Sequence, residues 1–209
     1  MLDEIQNHPN ADVVNVDTGI YYDCLQDLVD ETAKLGYDAV VNCTGLGSKA
    51  ICDDDSLIGA RGILLDFDRK CERLESDSGI ELSNDAAILV EDSPFGVEDY
   101  PCYLIPRGDK IVVGGSYIEN DTLTSIRDTE RTRLTTNARL LGIDTSKSKP
   151  LGEWTGFRPY RPTVRLEIDS SIGKEEDITL VHNYGHGGSG WTVFIGAATE
   201  VTSLLVKAS

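Results

Sequence analysis

Val181-His182-Asn183-Tyr184-Gly185-His186-Gly187-Gly188-Ser189-Gly190-Trp191 is the stretch on which the fold turns. Before and into it, Asp177-Ile178-Thr179-Leu180-Val181 has the apolar, β-branched character of a strand. After it, Trp191 to Val206 reads as an apolar helix. Between them, four glycines in the six positions 185–190 let the backbone come close to a ligand. Strand, glycine turn and helix form a geometry for an anion or a cofactor, because the first amides of a helix lack intrahelical partners and point outward.

Upstream, Gly156-Phe157-Arg158-Pro159-Tyr160-Arg161-Pro162-Thr163-Val164-Arg165-Leu166-Glu167 puts three arginines within eight residues. The chain as a whole is acidic, with 19 Lys and Arg against 36 Asp and Glu, a net charge of -17 over 209 residues. A local cationic cluster on that background marks an anion site, although Arg161 and Arg165 could equally neutralise nearby acids such as Glu153 and Glu167. The overall acidity excludes nucleic acid as a partner, since the field repels phosphate backbones. The five cysteines are odd in number and contain no C-x-x-C pair, which indicates reduced thiols and neither a disulfide framework nor a zinc knuckle. No run approaches the roughly 18 apolar residues of a membrane span. Met1-Leu2-Asp3-Glu4 has no secretory character, so the expectation is a cytoplasmic protein with no membrane association.

Toward the start, Cys24 to Leu35 has helical spacing of Leu25, Leu28, Val29 and Leu35, with Gly36 as a stop. Tyr37 to Cys43 reads as a buried strand ending in the turn Thr44-Gly45-Leu46-Gly47-Ser48. From Arg61 the texture changes to short apolar runs, Gly62 to Phe67, Ala86 to Val90, Cys102 to Ile105 and Lys110 to Val113, which predict an antiparallel sheet. The clearest hairpin turns at Arg107-Gly108-Asp109-Lys110. Thr124 to Leu141 is expected to be a helix covering that sheet, with Leu134, Ala138 and Leu141 on one face. The fold class is thus α/β (α+β): an α/β domain plus an antiparallel-sheet domain. Residues 1–60 and 169–209 belong to the former, with 169–209 returning to it as strand, glycine turn and helix, and 61–168 to the latter.

Three competing motifs are weak. His182 and His186 have i, i+4 spacing, but the glycines around them argue against the helix a zinc pair needs, so no metal is expected. His186-Gly187-Gly188 is like an esterase oxyanion loop without the G-x-S-x-G elbow that reaction requires. Gly45-Leu46-Gly47-Ser48-Lys49-Ala50 imitates a dinucleotide fingerprint with Asp66 as ribose ligand, yet Asp53-Asp54-Asp55 interrupts the helix that should follow. That acidic triplet reads as a solvated loop.

The two long motifs, with Val40-Val41-Asn42-Cys43-Thr44-Gly45, Arg61-Gly62 and Cys102-Tyr103-Leu104-Ile105-Pro106, resemble the D-amino-acid oxidase family, which includes D-aspartate oxidase. The resemblance covers most of the chain in the family's order. It implies FAD as cofactor and oxidative deamination of small-molecule D-amino acids to 2-oxo acids, ammonia and hydrogen peroxide. It also implies roles: Tyr103, Arg158 and Gly188 bind substrate, while Thr44, Gly45, Arg61, Gly187, Ser189, Gly190, Trp191 and Thr192 face the cofactor. Tyr100, in a lid stretch from Glu91 to Pro101, matches the family's second tyrosine only weakly. In relatives that take acidic substrates an arginine stands at the position of Tyr117, which favours neutral D-amino acids; Arg158-Pro159-Tyr160-Arg161-Pro162 looks locally like the D-aspartate branch. The family's opening G-x-G-x-x-G turn has no match, so the expectation is a carboxy-terminal portion, with a non-catalytic remnant that does not hold FAD as the alternative. The family allows a homodimer, and a peroxisomal address as an alternative without the C-terminal tripeptide that would direct it.

Overall fold

One strand of 17 residues, Gly152–Ile168, ties the two halves of the molecule together. The computed structural model describes residues 22–74, 83–90, 101–173, 175 and 177–208. In chain order the elements are α1 (Leu25–Lys34), β1 (Ala39–Asn42), a 3-10 turn (Gly45–Gly47), α2 (Ser48–Ile51), β2 (Ile58–Asp68), β3 (Ile88–Val90), β4 (Cys102–Arg107) and β5 (Lys110–Gly114). There follow β6 (Ile118–Glu119), α3 (Asp128–Leu140), β7 (Gly152–Ile168), β8 (Thr179–His186) and α4 (Gly190–Ala208). The strands form one sheet in the order β1-β8-β7-β2-β5-β4-β3, with β6 beside β2. Only β1 and β8 run parallel, with Asn42 opposite His182; the other pairs are antiparallel.

The period-2 alternation of β2 decides which face is core. Ile63, Leu65 and Phe67 are fully buried and pack with Leu104, Ile111 and Val113 of the β4–β5 hairpin against Leu134, Ala138 and Leu141 of α3 and the segment after it. Gly62, Leu64 and Asp66 occupy the opposite face, where no described helix covers them, and that face carries the site.

The mixed α/β architecture and the helix over the sheet match the expectation, with shifts of boundary: β2 begins at Ile58 rather than Gly62 and β3 at Ile88 rather than Ala86. α3 begins at Asp128 rather than Thr124 because the preceding carbonyls are taken from outside: Arg61 Nε donates to the Leu123 oxygen at 2.7 Å and Arg61 Nη2 to the Ser125 oxygen. The Arg127 amide then donates to Glu130 Oε2 at 2.8 Å, which satisfies one of the free amides at the helix start. The strand expected to end at Val181 continues to His186, through Gly185 at φ +89. A Cβ at Gly185 would stand 2.7 Å from Arg161 Cβ, so only glycine lets β8 lie this close to β7. Pro162, which cannot donate to a ladder, falls in the register shift between Tyr160 and Arg165, where β7 is irregularly paired with β8. None of the described helices is long and apolar enough to cross a membrane.

Candidate active site

Three glycines on the uncovered face clear the space in which the site forms. Gly62 on β2 is the register partner of Gly156 on β7, and Gly114 on β5 is the partner of Leu64. Arg158, two residues along from Gly156, lays its guanidinium over Gly62, where a Cβ would stand 2.5 Å from Nη1 and 2.9 Å from Cζ. Tyr103 lies over Gly114 and Gly115; a Cβ at Gly115 would be 2.5 Å from its Cε1. Gly188, in the turn after β8, comes to the aliphatic stem of the same arginine: a Cβ there would stand 3.4 Å from Arg158 Cδ. The structure therefore brings Arg158 against Gly188 and sets Tyr103 on the same face of the sheet, one strand pair away.

Arg158 donates from Nη1 to the Ser116 carbonyl at 3.0 Å, and among the described residues no carboxylate pairs with it. The two other arginines of the motif are committed. Arg161 Nε donates to Asp54 Oδ2 at 2.9 Å, and Arg165 pairs with Glu167 at 2.8 Å and with Asp169 at 3.5 Å. Glu153, the other acid weighed for them, pairs instead with Arg131 at 2.8 Å. A planar guanidinium held by one edge and facing a glycine-cleared floor has the geometry for two parallel bonds to a carboxylate. Tyr117, next to Ser116, sits edge-on to Tyr160 with ring centroids 5.8 Å apart. Burial, then the nearby Glu119 and Tyr160, push the Tyr117 hydroxyl above its usual range, so it remains a donor.

The second turn is built around Asn42. Its Oδ1 accepts from the Thr44 amide at 3.1 Å, from Thr44 Oγ1 at 2.8 Å and from Ser48 Oγ at 3.2 Å, so its Nδ2 faces His182 Nδ1 at 3.2 Å. An amide donating to Nδ1 leaves the ring proton on Nε2, which lies 3.0 Å from Asp169 Oδ2. Burial pushes Asp169 up, but bonds from Ser171 and His182 outweigh it and hold the carboxyl at about 2. This chain of bonds fixes Thr44 and Gly45, the latter at φ +57 beneath Pro159. Neither Asn42 nor His182 stood out as functional in the sequence. The available signal was two polar residues in otherwise apolar strands, which the parallel register sets opposite each other.

Two expectations are corrected. Asp54 is not a solvated loop residue: it is buried and accepts from Tyr184 Oη at 2.8 Å as well as from Arg161. Burial would raise its carboxyl, but bonds from Ser56, Tyr184 and Arg161 bring it to about 2. Arg61, expected to face the cofactor, directs its fully buried side chain to the opposite face, onto Glu130 at 2.7 Å, Asp121 at 3.3 Å and two carbonyls. Asp66, the mock ribose ligand, pairs with Lys110 at 3.2 Å on the sheet. Tyr100 and the acids of the lid stretch lie outside the described residues.

The remaining residues expected to face the cofactor lie together in the glycine turn after β8. Gly187, at φ +56, donates its amide to the Pro159 carbonyl at 2.8 Å, and the Ser189 amide donates to His186. Gly190 opens α4, with Trp191 and Thr192 exposed in its first turn and Trp191 at 70%. Both turns leave the carboxyl ends of adjacent parallel strands, where open α/β sheets bind ligands. Bare glycine backbone beside outward-facing helix amides fits the planar, electron-poor end of a flavin. His182 is already committed, and among the described residues no cluster of His, Cys, Asp or Glu is placed to hold a metal ion.

Comparison with known proteins identifies the family. The family model described as FAD dependent oxidoreductase matches residues 5–204. D-aspartate oxidase 1 of Caenorhabditis elegans is 32% identical over 183 residues, covering 86% of this chain and 49% of that protein. D-amino-acid oxidase of Dictyostelium discoideum is 32% identical over 206 residues, covering 91% and 54%. The chain thus spans about half the length of the relatives it matches. Among solved structures, glycine oxidase from Geobacillus kaustophilus superposes with a TM-score of 0.59 at 17% identity, over 82% of this chain and 42% of that one, a likeness of fold. A family model that covers nearly the whole sequence, on a fold shared with a solved oxidase, shows that this chain belongs to the FAD dependent oxidoreductase family.

Proposed function

We propose that the chain carries the substrate clamp, and part of the flavin seat, of an FAD-dependent D-amino-acid oxidase acting on neutral D-amino acids. Residues 61–168 supply the substrate side, and residues 1–60 and 169–209 the cofactor side. The observation that carries this reading is the Arg158 guanidinium, without a carboxylate partner among the described residues, laid over Gly62 with Gly188 against its stem and Tyr103 on the same face of the sheet. Arg158 takes the substrate α-carboxylate on its free edge, the Tyr103 hydroxyl adds a third bond, and the Gly188 carbonyl receives the amino group. Bound FAD would supply the acceptor for the hydride from the substrate Cα, once the ammonium has lost a proton to solvent so that the nitrogen lone pair can form the imine, and dioxygen would be the final acceptor, giving hydrogen peroxide. The chain's own part is to orient the Cα–H bond and hold the carboxylate and the amino group in fixed partners. At the other turn, the positive end of α4 favours negative charge beside Gly187 to Thr192.

The preference for neutral side chains is supported by Tyr117, which offers a hydroxyl and an aromatic edge where a second carboxylate would need a cation, and by Glu119 close by. The second reading, D-aspartate, is favoured by similarity to proteins named D-aspartate oxidase. Peroxide release from the flavin-loaded protein separates them. Higher kcat/KM for D-alanine is expected, and a clear preference for D-aspartate overturns the neutral-substrate reading. A purified chain that stays colourless in excess FAD overturns the flavin seat for this polypeptide.

A further inference from the structure

Trp154 is 56% exposed on the face that carries Arg158, and the sequence provides a seat for it. Side chains at 154, 156 and 158 of β7 share one side of the sheet. The indole leans along its own strand over Gly156, where a Cβ would overlap its outer edge at Cη2, Cζ2 and Cζ3. Arg158 leans across to Gly62, the direct register partner of Gly156. Paired residues in an antiparallel ladder stand about 5 Å apart, so the indole edge and the guanidinium approach one another over a single glycine pair from opposite directions. A side chain at either glycine would displace one of them. Trp154 also lines a cavity of about 290 Å³ together with the apolar Leu64 and Val112 and the charged Asp66, Arg107 and Lys110.

We propose that Trp154 is a specificity-determining residue, and that with a carboxylate on Arg158 the substrate side chain lies against its indole. The class selected is D-amino acids with aromatic or extended apolar side chains, in preference to small ones. An indole offers a broad apolar surface at little cost in conformational entropy, and a ring meeting it edge-on or offset gains beyond area burial alone. The inference rests on the reading of Arg158 as the carboxylate clamp.

Two carboxylates that lack an amino group, and so cannot be oxidised, test it by calorimetric titration of the full chain: acetate, which reaches only the clamp, and phenylacetate, which also carries a ring. Phenylacetate is expected to bind about fivefold to tenfold more tightly than acetate. Trp154→Ala removes that difference and leaves acetate affinity unchanged, while Trp154→Phe keeps most of it. Equal affinities in the parent protein, or equal loss of both ligands in Trp154→Ala with an unchanged circular dichroism spectrum, overturn the assignment of Trp154 alone. Absence of binding by either carboxylate overturns the Arg158 clamp and this inference with it.

Discussion

Arg61 and Arg158 stand on adjacent strands, with Ala60 opposite Arg158 and Arg61 opposite Phe157, so their side chains leave the sheet on opposite faces. On the helix-covered face Arg61 is fully buried, and its guanidinium is engaged by two carboxylates and two carbonyls from the segment 121–130. On the uncovered face Arg158 has one carbonyl and a floor of glycine. Both are arginines followed or faced by glycine in an acidic chain, so composition does not separate them. What separates them, among the described residues, is whether a carboxylate of the chain meets the guanidinium: two meet Arg61 and make it a tie between distant segments, and none meets Arg158.

The largest expected effect lies on the first arginine. Arg61→Met removes the fully buried cation shared by Glu130 and Asp121 and leaves them Arg127 alone, and breaking a buried ion pair costs about 3–5 kcal/mol, which urea unfolding followed by circular dichroism measures. Arg158→Ala should change unfolding by less than about 1 kcal/mol yet weaken carboxylate binding by about 2–5 kcal/mol. If both variants lose stability alike, the contrast between tie and clamp fails. Gly62→Ala sharpens it further: the added methyl meets the far end of a flexible side chain, so the fold survives while the guanidinium is pushed aside. A fall of about tenfold in carboxylate affinity, equivalent to about 1.4 kcal/mol, is expected with little change in the unfolding midpoint.

The smallest effect is on acid stability. Burial would raise the Glu130 carboxyl, but bonds from Arg61 and from the Arg127 amide and side chain bring it to about 2 in the folded chain, below an ordinary value of about 4.3 when unfolded. A carboxyl lowered on folding contributes stability that is complete above its unfolded value and is lost as pH falls from there toward 2. Thermal midpoints recorded from pH 5 to pH 2 should therefore fall less steeply in Glu130→Gln than in the parent. Parallel curves would mean that Glu130 is not held by Arg61.

Much of the sheet could be read in advance because it depends on local pattern. The hairpin around Gly108, the run of short strands and the glycine turn after β8 each follow from neighbours in sequence. Arg158 could be singled out from Arg161 and Arg165 only through resemblance: the partners of Arg165, Glu167 and Asp169, are its neighbours in sequence, but Asp54 reaches Arg161 from more than a hundred positions away. Arg61 was assigned to the wrong face for the same reason: Leu123, Ser125 and Glu130 reach it across about sixty residues of chain. Gly156 gives no sign in sequence of being a seat for Trp154, because the indole's lean along the strand is a choice of rotamer that only packing makes.

The length of β7 has a mechanical consequence. At about 3.3 Å per residue, the span from Trp154 to Arg165 measures roughly 36 Å of continuous extended chain, bent only at the irregular stretch between Tyr160 and Arg165. The indole, the guanidinium, the Pro159 carbonyl that holds the glycine turn and the arginine beneath Tyr184 are graduations on a single ruler. A domain hinge placed across such a rod has no loose joint at which to open. Spacing between the two turns and the clamp is thus set by covalent geometry, and a one-residue deletion ahead of Arg158 would slide every mark by a full pleat and turn each to the wrong side of the sheet.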